Sequence, residues 1–341
     1  MTANPGLEAA IAAGVIDRAT AERLQPYLAA NGVPPADSVD PDDEKLRLVS
    51  GFNDIFVTIG IAMFLGALYF LLRSSGALAP TMVAGASWGL AEFFTRKRRL
   101  ALPSIVLLVT FVVSVFFGAI DVLHPASVVP YNDLTPPQML LAAAAAAIAA
   151  LLHWLRFHVP ITIAAGVAAL AGILLALCQI EAPQLLSSHP VAVFLPLGLA
   201  IFALAMWFDM SDLTRQTRRT DIAFWLHLLA APIIVHPILL TLSAGNTSLS
   251  GAAQVVGVFL CLAVVALVVD RRAILVSSLL YLAYAAGTLI SATGVGDAAP
   301  AFSTLAVGAV VLMLSAAWKP LRRIFMGLIP ASMRARLPRV A

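Results

Sequence analysis

"TDIAFWLHLLAAPIIVHP", residues 220–237, is the stretch on which the fold turns. It is long and apolar enough for a helix across a bilayer, which needs about 20 mostly apolar residues. Yet it opens on Asp221 and carries His227, His236, Pro232 and Pro237. Such groups cost free energy in lipid, so a helix keeps them where they face protein or water.

The rest of the chain repeats this apolar pattern. Of its 341 residues 61% are hydrophobic and 11% charged, and the mean hydropathy is +0.94. A soluble domain is about 45–50% apolar and about 25% charged, so the excess faces lipid. Ten runs qualify as spans: 54–72, 77–94, 101–123, 139–155, 159–179, 190–208, 222–243, 251–269, 273–293 and 301–318. The expected fold class is therefore an all-α integral membrane protein of about ten transmembrane helices, with both termini cytoplasmic.

Charge placement sets that orientation. With the N-terminus in the cytoplasm, all but Arg73 of the 21 Lys and Arg fall on the cytoplasmic side. They include Arg96 to Arg99, Arg156, Arg215, Arg218, Arg219, Arg271, Arg272 and the bases of the tail. Dropping or adding one span would break this partition for everything downstream. The net charge is +3, and its bases recur between apolar runs, which argues against nucleic-acid binding. Pro, Asn, Ser and Gly gather in the loops expected outside, such as 124–138 and 243–251. The chain opens on a polar stretch without a signal-peptide pattern, and the expected location is a bacterial-type inner membrane.

The organisation reads as four parts. Residues 1–39 form a cytoplasmic helical hairpin and linker, 40–53 an interfacial helix, 54–318 the ten-span domain, and 319–341 a basic tail. In the hairpin the first helix ends at Gly14, Asp17 caps the second, and Pro26 is expected to bend or shorten it. The Asp40-Pro41-Asp42 start suits a helix N-terminus. The tail mixes Arg322, Arg323, Ile324, Phe325 and Leu328, and so reads as an interfacial segment on anionic lipid.

"GVIDRATAERL", 14–24, resembles the opening of a widespread group of bacterial membrane proteins of undefined activity. That group begins with a short helical domain built around a Gly-hydrophobic-Ile turn. The resemblance covers residues 7–30 and the layout of spans, and it implies no catalytic residue.

Two halves of the chain share landmarks. Asp54-Ile55 and Asp221-Ile222 open spans one and seven, and the spans that follow end on Arg98-Arg99 and Arg271-Arg272. This pattern is what a parallel repeat of spans one to four and seven to ten would give, and also what interfacial bases alone would give.

Candidate functional residues are the polar groups within or near spans. On a straight helix His227 and His236 point to opposite sides and cannot share one metal, whereas Asp221, Trp225, Pro232 and His236 share a stripe. That stripe is expected to face protein or water. Asp54, Glu92 and His153 lie in the same half of the membrane as His227; Asp121, His124, Glu181 and His189 lie in the half of His236. The candidate polar pathway is His227, His236, Asp221, Asp54, Glu92 and Asp121, a route for a proton or small solute. Plainer roles compete: Asp54 as a cap, Glu92 paired with Arg96, His153 as an interfacial anchor.

"GASWG", 85–89, fits G-x-S-x-G and resembles the serine segment of rhomboid intramembrane proteases, except that Trp88 stands where those have Gly. The other reading is a Gly85-xxx-Gly89 contact between helices. "AAAAAA", 142–147, implies close helix packing. Cys178 and Cys261 sit in apolar runs as packing residues, and no spacing suits a metal or cofactor. The leading functional expectation is a transporter-like protein, proton-linked through span seven. The alternatives are a membrane scaffold that binds a protein partner at residues 6–30, and an intramembrane serine hydrolase.

Overall fold

A computed structural model describes residues 5–30, 52–123, 134–213, 215, 217–243, 249–291, 298–334 and 337. The chain divides into two compact units, residues 1–45 with 339–341 and residues 46–338. The expected interfacial helix at 40–53 lies outside the described residues, except that 52 and 53 begin the first long helix.

In the first unit α1 (Pro5–Ala12) and α2 (Arg18–Ala30) form a hairpin. The turn passes through Gly14 at φ +69°, a conformation open to glycine. Asp17 caps α2, accepting from the Thr20 amide at 2.9 Å. Its hydrogen bonds with Thr20 hold the Asp17 carboxyl below its ordinary value. The cap is therefore intact near neutral pH and is lost as pH falls through that lowered value. Pro26 does not end α2. The carbonyl it leaves unpaired belongs to Glu22, which is exposed.

The second unit is mainly helical, with no strand, among the described residues. Its long helices are α3 (Phe52–Leu72), α4 (Leu78–Ala91), α5 (Ala101–Leu123), α6 (Pro136–Phe157), α7 (Ile161–Glu181), α9 (Pro190–Met210), α10 (Arg218–Ser243), α11 (Leu249–Val269), α12 (Ala273–Ser291) and α13 (Ala299–Ala316). Short helices α8 (Pro183–Ser188), α14 (Trp318–Leu328) and α15 (Ala331–Arg334) complete it. Eight of the long helices are long and apolar enough to cross a membrane: α3, α5, α6, α7, α9, α10, α11 and α13. A π-helical turn, Glu92–Lys97, prolongs α4. Large apolar side chains point outward, among them Phe56, Met63 and Phe70 of α3 and Leu305 and Leu312 of α13. Soluble proteins rarely expose apolar surface so continuously.

Small residues set the closest helix contacts. The alanine run packs as expected: Ala142, Ala143 and Ala146 are buried, and a Cβ added to Gly172 of α7 would lie 3.3 Å from Ala143. Gly85 and Gly89 behave otherwise. A Cβ at either would meet nothing within 4 Å, because α4 packs through Val83, Ala84, Ser87 and Ala91 and turns its glycines outward. The tightest approach is at Gly198 of α9. A Cβ there would sit 2.5 Å from Ile234 Cγ1 and 3.1 Å from the Ile234 amide nitrogen, beside Pro232 and Pro237 of α10.

The neighbours of α3 to α6 recur in α10 to α13. Helix α3 packs on α4 and α5, α4 on α5, and α5 on α6; likewise α10 packs on α11 and α12, α11 on α12, and α12 on α13. Both second-to-third turns hold a non-glycine residue at positive φ, Arg99 (55°) and Asp270 (59°). A parallel repeat would give this arrangement, and so would the packing of helices adjacent in the chain. Helix α7 joins the sets by packing on both α6 and α10, and α9 lies along α10.

Gly198→Val should overpack the α9–α10 seam, costing about 1–3 kcal/mol, and lower the apparent Tm of the purified protein in detergent. Gly85→Ala should leave that Tm nearly unchanged.

Candidate functional site

Antiparallel succession brings the end of α9, the start of α10, the α11–α12 turn and the start of α14 to one end of the bundle. Each contributes a charge there. Asp209, in the last turn of α9, is buried between His227 of α10 and Arg271 of the α11–α12 turn. His227 Nε2 lies 2.8 Å from Asp209 Oδ2. Arg271 grips the same carboxylate with two nitrogens: Nε donates to Oδ2 at 3.2 Å and Nη2 to Oδ1. Nη2 also donates to the Thr220 carbonyl at 3.3 Å. Bidentate guanidinium–carboxylate pairing is strong and directional, which suits a buried site.

Asp270 is the second hub. Its φ of 59° places it just past the end of α11, where the Arg271 amide donates back to the Ala266 carbonyl at 2.9 Å. Glycine is usual at such a helix end. Aspartate stands here because its side chain is in use. Arg215 Nη1 donates to Oδ2 at 2.7 Å and Trp318 Nε1 to Oδ1 at 2.8 Å, with Arg322 Nε 3.6 Å from Oδ1. Asp212 serves α10, accepting from the Thr217 amide at 2.8 Å and from the Thr217 and Thr220 hydroxyls at 2.7 and 3.1 Å. A carboxylate suits the positive end of a helix dipole.

Three carboxylates (Asp209, Asp212, Asp270) thus meet three guanidiniums (Arg215, Arg271, Arg322) in the interior. The set is balanced while His227 is neutral. His227 is fully buried, with Phe202 edge-on to its ring at 5.1 Å, and its Nδ1 has no hydrogen-bond partner. A proton arriving at Nδ1 would add a second cation to Asp209, next to Arg271, in a dry setting. That charge is tolerated only if water enters or the helices part.

The structure distributes the other expected residues elsewhere. The stripe of Asp221, Trp225, Pro232 and His236 is less buried than the face of α10 beside it. The buried face runs through Ala223, Leu226, His227, Ala230 and Val235; Asp221 and Trp225 are half-buried, and Pro232 and His236 are exposed. His236 Nδ1 meets the Tyr281 hydroxyl of α12 and borders a cavity of about 290 Å³ between Phe194, Pro232 and Leu240. Asp54 is buried in the first turn of α3, and Asp121 is half-buried near the end of α5.

Glu92 and His153 do not join His227. Glu92 keeps the expected Arg96 contact at 3.2 Å, and also accepts from Arg156 of α6 at 2.6 and 3.0 Å. His153 is not an interfacial anchor. It is fully buried against Trp88, Phe111 and Phe157, with Nδ1 3.2 Å from the Thr162 hydroxyl. Ser87 is buried mid-helix, and its hydroxyl has no hydrogen-bond partner. It is not on a strand-to-helix turn. Cys178 and Cys261 are free, and no metal-binding group of His, Cys, Asp or Glu occurs among the described residues.

Sequence reading missed Asp209, Asp212, Asp270, Arg271 and Arg322. A signal was present: Asp209 and Asp212 end an apolar run, and Asp270 directly precedes two arginines. Acids at such positions oppose the usual placement of bases and call for partners. No protein-family model matches the chain, and neither a curated protein nor a solved structure does. Fold and composition define a multi-pass α-helical membrane protein.

Asp209→Leu leaves Arg271 buried without its counter-ion and should cost about 3–5 kcal/mol. Adding Arg271→Met should recover most of that loss. Both are read from unfolding of the purified protein in detergent.

Proposed function

We propose that this chain is a transporter-like protein of the bacterial-type inner membrane, proton-linked through α10. In this reading ten spans are assumed, two of them beyond the eight that are long and apolar enough, and both termini are cytoplasmic, which would put the charge network at the inner end. The observation that carries the reading is the Asp209–His227–Arg271 set, a carboxylate shared by a guanidinium and a buried imidazole whose second nitrogen stands open. Proton uptake at His227 loosens the network, and proton release restores it. Pro232, Pro237 and the Gly198 contact give α10 a place to bend. The His236–Tyr281 pair marks the other end of the same helix.

The test uses a background with Cys178 and Cys261 replaced by alanine. Ala230→Cys, on the buried face of α10, is expected to react with a small water-soluble thiol reagent several-fold faster on acidification. Adding His227→Gln should abolish the pH dependence. Reactivity indifferent to pH, or equally pH-dependent without His227, would overturn the reading.

A second reading, a membrane scaffold, is favoured by the N-terminal unit. Its compact hairpin exposes Val15 (75%) and Tyr27 (65%), apolar side chains suited to a protein partner. Deleting residues 1–39 should leave the Tm of the remaining chain unchanged. A scaffold would then lose its cellular function, whereas a transporter would keep it.

A further inference from the structure

Helix α14 follows α13 after the single residue Ala317, so it begins where a candidate span ends. One side is clamped to protein. Trp318, Arg322 and Met326, spaced by four, are buried, and α14 packs on α11. Trp318 and Arg322 are fixed on Asp270. The remaining surface divides by chemistry. At about 100° per residue, Lys319 and Arg323 fall on one flank and Ile324 and Leu328 on the other. The two cations are exposed, and Arg272 stacks over the Trp318 ring at 5.0 Å with its charge also exposed. Ile324 and Leu328 are 62% and 76% exposed, and half-buried Leu321 and Phe325 continue their row.

An apolar flank beside a cationic flank, on a helix attached to the end of a span, has the form of an interfacial helix. We propose that α14 is a docking surface for anionic phospholipid. Ile324 and Leu328 enter the acyl region, and Lys319, Arg323 and Arg272 hold the headgroups. Connectivity favours lipid over a soluble partner, because α13 delivers α14 to the bilayer boundary. Clamping by Asp270 sets the rotation of the helix, so each flank meets its matching layer. The proposal is independent of proton linkage at His227.

The test uses the full chain with Cys178 and Cys261 replaced by alanine and a spin label at Leu328→Cys. It is reconstituted in nanodiscs of phosphatidylcholine alone, or of an equimolar mixture with phosphatidylglycerol. The label should shift toward oxygen and away from a water-soluble relaxation reagent when phosphatidylglycerol is present. Lys319→Gln with Arg323→Gln should remove that shift. Trypsin cleavage after Arg323 in the unsubstituted protein should also slow in the anionic discs. A label equally water-accessible in both lipids overturns the proposal. So does a lipid dependence that survives the double substitution, or a cleavage rate identical in the two discs.

Discussion

One carboxylate in a dry setting constrains the second half of this protein. Asp209 sits at the end of an apolar helix, where an unpaired charge would cost several kcal/mol. Arg271 and His227 remove that cost, but only if α9, α10 and the α11–α12 turn meet within hydrogen-bonding distance. The pairing therefore fixes the mutual register of three helices. Asp270, one residue before Arg271, extends the same constraint to Arg215 and to α14. Non-directional apolar contacts lack this power between helices in lipid, where tails are as apolar as the side chains they would replace.

The two halves solve helix assembly differently. In the first, α6 and α7 approach through alanine and glycine, and His153 is enclosed by aromatic rings with one hydroxyl partner. Its ion pair, Glu92 with Arg156, lies at the partly exposed edge. In the second half the charges are interior. A bundle that keeps three guanidiniums and three carboxylates inside gains specificity of arrangement more than stability, since apolar residues of equal volume would serve stability as well.

Local signals in the sequence showed what depends on local physics. Apolar run length located the long helices, the alanine run announced close helix packing, and Asp17 and Gly14 marked the hairpin turn. The network escaped because its partners lie far apart in the chain: 18 residues between Asp209 and His227, 62 between Asp209 and Arg271, 55 between Arg215 and Asp270. No periodicity spans such distances. Arg271 and Arg322 count toward a topology rule for loops, and in the structure they are also buried and ion-paired. Gly85 and Gly89 misled because spacing alone does not say which face of a helix meets a neighbour.

The same separation has a consequence for biogenesis. At about 5–20 residues per second, Arg271 leaves the ribosome roughly 3–12 s after Asp209. During that interval α9 exists with its carboxylate and without its guanidinium. Asp209 must wait either protonated or at the water boundary, so α9 settles to its final depth only when the α11–α12 hairpin arrives. Insertion of the second half would then be a joint event, and a chain halted before Arg271 would carry one orphaned acid.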